Sequence, residues 1–191
     1  EAAVRLGWVS HRSLNAPSEV VETFIYKLTN ANPDGSTLPQ HFFQSLKLAL
    51  TSFIIATIIG VPLGWIMGYY KVADFLLNPL FEIIRPIPPI AWIPIVILTM
   101  GIGMSAKVFI IFVAAFVPNV INSYLGIRLT DATLINVAKT FGASDWKIFT
   151  TVCIPSSMNM VFTGIRLSLN ASWTTLVAAE MLASIRGLGY M

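Results

Sequence analysis

The sequence predicts an all-α protein, a polytopic bundle of membrane-spanning helices, on three observations. The first is composition: of 191 residues, 55% are hydrophobic and 11% charged, against roughly 25% charged in a soluble domain. Mean hydropathy is +0.75. The second is charge spacing. Uncharged runs of 23 residues (48–70), 21 residues (86–106) and 20 residues (108–127) lie between basic residues. At about 1.5 Å per helical residue, each covers the ~30 Å hydrocarbon core of a bilayer. The third is a fourth apolar region, Ile148 to Ile185, interrupted by Arg166 and Glu180. Such a composition argues against a cytosolic enzyme and a disordered tail. One cysteine, Cys153, cannot close an intrachain disulfide, and a dispersed net charge of +3 does not point to nucleic acid. The length fits one domain or a compact bundle.

Residues 1–44 are expected to form an extracytoplasmic or interfacial segment, with the membrane domain at 45–191. Gly7, Pro17, Pro33, Gly35 and Pro39 punctuate the segment, and Ala31 to Ser36 is a turn signal. No secretory signal pattern is visible there. Ser18 to Leu28 predicts a short amphipathic helix at the membrane surface. Ser18 would cap it, with Val21, Phe24, Ile25 and Leu28 on one face.

The first span is Leu48–Tyr70. The second, between Arg85 and Lys107, opens on Arg85-Pro86-Ile87-Pro88-Pro89-Ile90-Ala91-Trp92-Ile93-Pro94. Proline fixes φ and removes a donor, so this stretch is not one regular helix. It is either a proline-kinked helix or a broken segment beside a translocation route, where irregular backbone survives in a membrane. The third span is Val108–Ser123. From Tyr124 to Thr150 the chain carries Arg128, Asp131, Lys139, Asp145 and Lys147 and makes an excursion into water. Leu134, Val137, Ala138 and Phe141 share one face of a short helix that Gly142 would end. Ser144 would then cap a second short helix, from Asp145 to Val152, with Pro155 ending it. The two form a knob whose apolar face suits docking.

In the last span, Asn159, Thr163, Arg166, Asn170, Trp173, Val177, Glu180 and Ser184 recur by threes and fours and fall on one helix face. The stripe is either polar glue between helices or the lining of a path. Arg166 and Glu180 lie about 21 Å apart along the axis and need separate partners. Arg166, near the inner end of the span, could also bind carbonyls freed by prolines or hold the knob. That places the deeper Asn170, Trp173 and Glu180 ahead of it as path candidates, Glu180 serving a gate or a helix contact.

There is no phosphate-binding GxxxxGK[ST] loop, HExxH motif or cysteine–histidine cluster, so no cofactor or metal site and no catalytic residue is read. His11 and His41 are expected at the surface. Cys153 is expected to be a buried, inert thiol. Ser156 and Ser157 have no histidine nearby in sequence.

Val137-Ala138-Lys139-Thr140-Phe141-Gly142-Ala143-Ser144, with Trp146, Phe149, Pro155, Gly164-Ile165-Arg166 and Trp173, resembles the "EAA" loop and following helix of ABC-importer permease subunits. The Arg85–Pro94 stretch, Val177-Ala178-Ala179-Glu180-Met181 and Gly187-Leu188-Gly189-Tyr190-Met191 look like the nitrate/sulfonate/taurine/bicarbonate branch. The resemblance covers about 17–191. It implies a permease in the bacterial inner membrane that pairs with a second permease copy. Two cytoplasmic ATP-binding subunits would drive it, and an extracytoplasmic solute-binding protein would supply a small anion. The loop at about 124–155 would be the coupling element, through Asn136, Ala138, Phe141, Gly142, Ala143, Ser144, Trp146 and Phe149. The path would draw on Asn119, Asn122, Arg166, Asn170, Trp173 and Glu180. Asn136 stands where the family has glutamate and Val137 where it has alanine. Helices flanking this chain are expected from the family. With the knob cytoplasmic, residues 1–44, 101–107 and 186–191 would lie outside. A channel subunit without an ATPase and a docking scaffold are the competing readings; the knob disfavours the first and the polar stripe the second.

Overall fold

A computed structural model describes residues 17–31 and 35–183, with side chains to Met181. His11, Ser184, the Gly187–Met191 motif and the centre of the 31–36 turn lie outside the described residues. The first helix, α1 (Pro17–Thr29), leaves Val21, Phe24, Ile25 and Leu28 exposed together, as its periodicity predicts. Lys27 Nζ donates to the Ser36 carbonyl at 3.4 Å and ties α1 to the turn that follows.

α2 (Leu38–Tyr69) starts well before the uncharged run, because His41, Gln44 and Lys47 continue the same helical register. Its 32 residues reach about 48 Å, more than a bilayer core needs. The Thr37 N–H donates to Gln40 Oε1 at 2.9 Å, which satisfies one of the free donors of the first turn. Extended backbone at Tyr70 ends the helix.

The second span departs from expectation. No single helix runs between Arg85 and Lys107; the apolar stretch there is the second half of a bent pair whose first half is α3 (Lys71–Ile84). After a bend come a 3-10 turn at Pro89–Trp92 and α4 (Ile93–Met100), and the two halves meet at 86°. Eight residues of α4 make about 12 Å, too short to cross alone. An uncharged run leaves out α3 because that helix carries Asp74 and Glu82 and ends at Arg85; Asp74 pairs with Arg128 and with the Tyr124 hydroxyl at 3.4 Å, and Glu82 pairs with Arg85. A charge with partners does not exclude a helix from the bundle.

α5 (Met104–Arg128) is the central helix, packed between α2 and the last helix. Glycine permits that closeness on both sides. A Cβ on Gly64 would lie 2.5 Å from the Val120 carbonyl oxygen, and one on Gly164 would lie 2.8 Å from Asn122 Cβ. Small residues let membrane helices meet backbone to backbone, where packing rather than water exclusion holds them.

α6 (Ala132–Thr140) and α7 (Asp145–Ile148) form the knob. The helix expected to stop at Pro155 does not stop. A five-residue π-helical turn, Phe149–Cys153, joins α7 to α8 (Ile154–Ala183). Proline lacks a donor, and the looser π register just before it absorbs that loss without breaking the helix. Among the described residues, α2, α5 and the continuous Asp145–Met181 helix are long and apolar enough to cross a membrane. The bent pair makes a fourth if counted as one span.

Candidate functional site

The knob is built by two caps and a glycine. Asp131 accepts from the Thr133 N–H at 2.8 Å at the start of α6, and that bond holds its carboxyl below the usual carboxylate range. At Gly142 φ is +74°, a conformation side chains disfavour, so the chain can reverse there. The Ala143 N–H then bonds the Ala138 carbonyl at 3.1 Å, and Ser144 caps α7. Behind this turn, Ile127, Ile148, Phe149 and Cys153 form a buried cluster, with Ala138 and Ala143 packed against it. The Phe149 ring lies 4.9 Å from Tyr69 and 5.7 Å from Tyr70, and the Tyr69 hydroxyl donates to the Asp145 carbonyl at 3.0 Å. The knob is thus pinned to the ends of α2 and α5. On its far side Leu134, Val137, Phe141 and Trp146 are exposed, Phe141 at 87%. Asn136, Gly142 and Ser144 are exposed beside them.

Residues 60–191 match the family of binding-protein-dependent transport system inner membrane components. The chain belongs to that family. Over 186 residues it is 34% identical to the taurine transport system permease protein TauC of Escherichia coli, covering 96% of this chain and 66% of the relative. Identity is 32% over 182 residues to the nitrate import permease protein NrtB of Synechocystis, covering 93% and 66%. It is 35% over 147 residues to the bicarbonate transport system permease protein CmpB of Synechococcus elongatus, covering 76% and 53%. The chain therefore spans about two thirds of the first two relatives. It is an inner-membrane ABC transporter permease, a family that is not itself enzymatic.

The permease sorts its candidate residues into two groups. Asn119 is fully buried at the middle of α5, where its Nδ2 donates to Ser168 Oγ at 2.9 Å and Thr57 Oγ1 at 3.1 Å. It joins three helices. Asn122 donates to the Pro118 carbonyl at 2.9 Å and packs on Gly164. Glu180 is 1% exposed, accepts from Ser45 Oγ at 2.6 Å, and its charge acts on that of buried Lys107. His41, expected at the surface, is buried on α2, one turn from Ser45. In the structure Asn119, Asn122 and Glu180 are buried between helices of the protomer. Glu180 is held inward by the Ser45 hydroxyl of α2.

Asn159, Thr163, Arg166, Asn170, Trp173 and Val177 share the exposed face of α8. Arg166, Asn170 and Trp173 border an open cleft of about 500 Å³ against Leu46, Ala49 and Leu50 of α2. Arg166 is two residues from Ser168, which meets Asn119 at the middle of α5. It therefore lies level with the inner half of α5, on the continuous helix that starts at Asp145. Phe149, named with the coupling residues, is buried in the cluster behind the turn.

Sequence reasoning missed two charged pairs on the bent span, Asp74 with Arg128 and Glu82 with Arg85 at 3.0 Å. The i,i+3 spacing of Glu82 and Arg85 beside the proline run is the signal that could have found the second. Among the described residues no group of three or more histidine, cysteine, aspartate or glutamate side chains could hold a metal.

Proposed function

We propose that this permease and a second permease copy form the path of an ATP-driven importer, with the α6–α7 knob cytoplasmic and docked in a groove of an ATP-binding subunit. The exposed row Leu134, Val137, Phe141 and Trp146 carries the reading. Apolar helix faces of this kind fit grooves, and this one is fixed to the spans by Phe149, Tyr69 and Asp145, so a push on it is not lost in a loose loop. Ala138, Gly142, Ala143 and Ser144 shape the turn, and Asn136 sits on its rim. Arg166, Asn170 and Trp173 line the path, where a guanidinium and an amide would favour a small anion if binding stays weak enough for release. The names of the relatives, for taurine, nitrate and bicarbonate transport, support that solute class. An extracytoplasmic binding protein would deliver it.

The test is hydrolysis by the ATP-binding subunits co-purified with the full permease. Adding the loaded binding protein is expected to raise it, and Gly142→Asp is expected to abolish the rise by placing an unpaired charge in the dock. Hydrolysis indifferent to the binding protein would sink the importer reading.

A further inference from the structure

The elbow of the bent span carries charge at a depth where charge is costly. Its level can be read along α5. Asp74 of α3 meets Tyr124 and Arg128, and Phe81 meets Phe116 with ring centroids 6.5 Å apart and packs with Val120. Beyond the bend, Trp92 and Ile93 pack on Ala106 and Ile110. Residues 85–88 thus lie level with the middle of α5. There the Glu82–Arg85 pair is half exposed, at 54% and 48%, and Pro86, Ile87 and Pro88 are exposed too. Lipid tolerates neither an irregular backbone nor an ion pair at that depth. Water or other protein must face this surface.

Beside the pair is a cleft of about 320 Å³ between α2, α3 and α5. Asn78, Glu82, Arg85 and Tyr124 give it polar groups, and Met67, Phe81 and Val120 are among its apolar walls. We propose that this cleft is a second anion contact of the path, with Arg85 as its binding residue and Glu82 as the carboxylate that occupies Arg85 between passages. The proposal rests on the importer reading and takes small oxyanions. Guanidinium presents a planar fork of donors that matches a carboxylate, nitrate or sulfonate edge. A single bond from Nη1 to Glu82 in an exposed pair exchanges readily, so an arriving oxyanion can replace the carboxylate and be replaced by it. That exchange gives entry and release without a deep well.

The experiment uses the full permease with its ATP-binding subunits in membrane vesicles, in a Cys153→Ser background. Asn78→Cys is probed with an anionic methanethiosulfonate (the ethylsulfonate) and a cationic one (the ethyltrimethylammonium), with and without ATP. The introduced thiol is expected to react, with the anionic reagent favoured about tenfold by the local field. Arg85→Gln should erase that preference, Arg85→Lys should keep most of it, and Glu82→Gln should strengthen it. Retention by Arg85→Lys shows that the cleft tolerates substitution there, so a loss in Arg85→Gln reads as charge. A thiol at position 78 that stays unreactive in both nucleotide states, or a preference indifferent to Arg85→Gln, overturns the proposal. If hydrolysis still answers to the loaded binding protein in that case, the importer reading stands without it.

Discussion

The two faces of α8 are both polar, and they are opposites in what the polarity does. One face carries Ser157, Gly164, Ser168, Ser172 and Thr175, all buried. Its hydroxyls are spent within the protomer: Ser172 donates to the Ser168 carbonyl at 2.9 Å, and Ser168 accepts from Asn119 of α5. The other carries Thr163, Arg166, Asn170 and Trp173, all exposed. Small residues on the first let a neighbouring backbone approach, whereas the long Arg166 and Trp173 side chains of the second need room. Polarity in a membrane helix therefore marks an interface of some kind, and what lies opposite the side chain tells which kind.

Paired substitutions can break this contrast, and the largest effect is expected at Glu180. Removing it takes away the carboxylate that the Ser45 hydroxyl donates to at a fully buried site. Glu180→Ala should cost about 2–3 kcal/mol, the scale of a buried hydrogen bond to a charged group, seen as a lower melting temperature of the purified permease. Trp173→Ala, on the outward face, should leave melting nearly unchanged; equal losses would erase the distinction.

Next comes Gly164→Leu, which drives a side chain into Asn122 and the Pro118 carbonyl, 2.8 and 3.2 Å from its Cβ position. Overpacking should cost about 1–3 kcal/mol. Thr163→Leu, one residue away on the exposed face, should not register in the same melting assay.

A smaller loss is expected at Asn119→Ala, about 1 kcal/mol, since hydrogen bonds between membrane helices are individually modest. Asn170→Ala should instead spare stability and lower solute-stimulated hydrolysis. Asn119→Ala that changes hydrolysis without changing melting would mean the buried amide serves the path after all.

The smallest effect lies outside the membrane. Asp131 is exposed, and its bond to Thr133 lowers its carboxyl, so the cap is present above the ordinary aspartate range and is lost as pH falls through the depressed value. Amide exchange at 132–135, corrected for intrinsic rates, should rise on acidification below about pH 4. Asp131→Asn should flatten that dependence.

How much could be read in advance differs by element. The knob was legible almost residue by residue, because Asp131, Gly142 and Ser144 are local signals that act within one turn of chain. Charge-free runs found α5 and most of α2 for a similar reason: hydrophobic length is a one-dimensional property. They misplaced the bent span, since its charges are Asp74, partnered by Tyr124 and Arg128 some 50 residues away, and the Glu82–Arg85 pair. They also could not show that Pro155 sits inside a continuous helix, which depends on a π turn packed behind the knob.

Composition, span length and turn chemistry by themselves determined a helical membrane protein with an apolar knob, and the motifs around Gly142 carried the family resemblance. Only the tertiary structure decided which polar residues face inward. Which side of the stripe seals the protomer is settled by partners on other helices: Asn119 for Ser168 and Ser45 for Glu180. Those partners lie 49 to 135 residues away along the chain, and no local pattern encodes the distance.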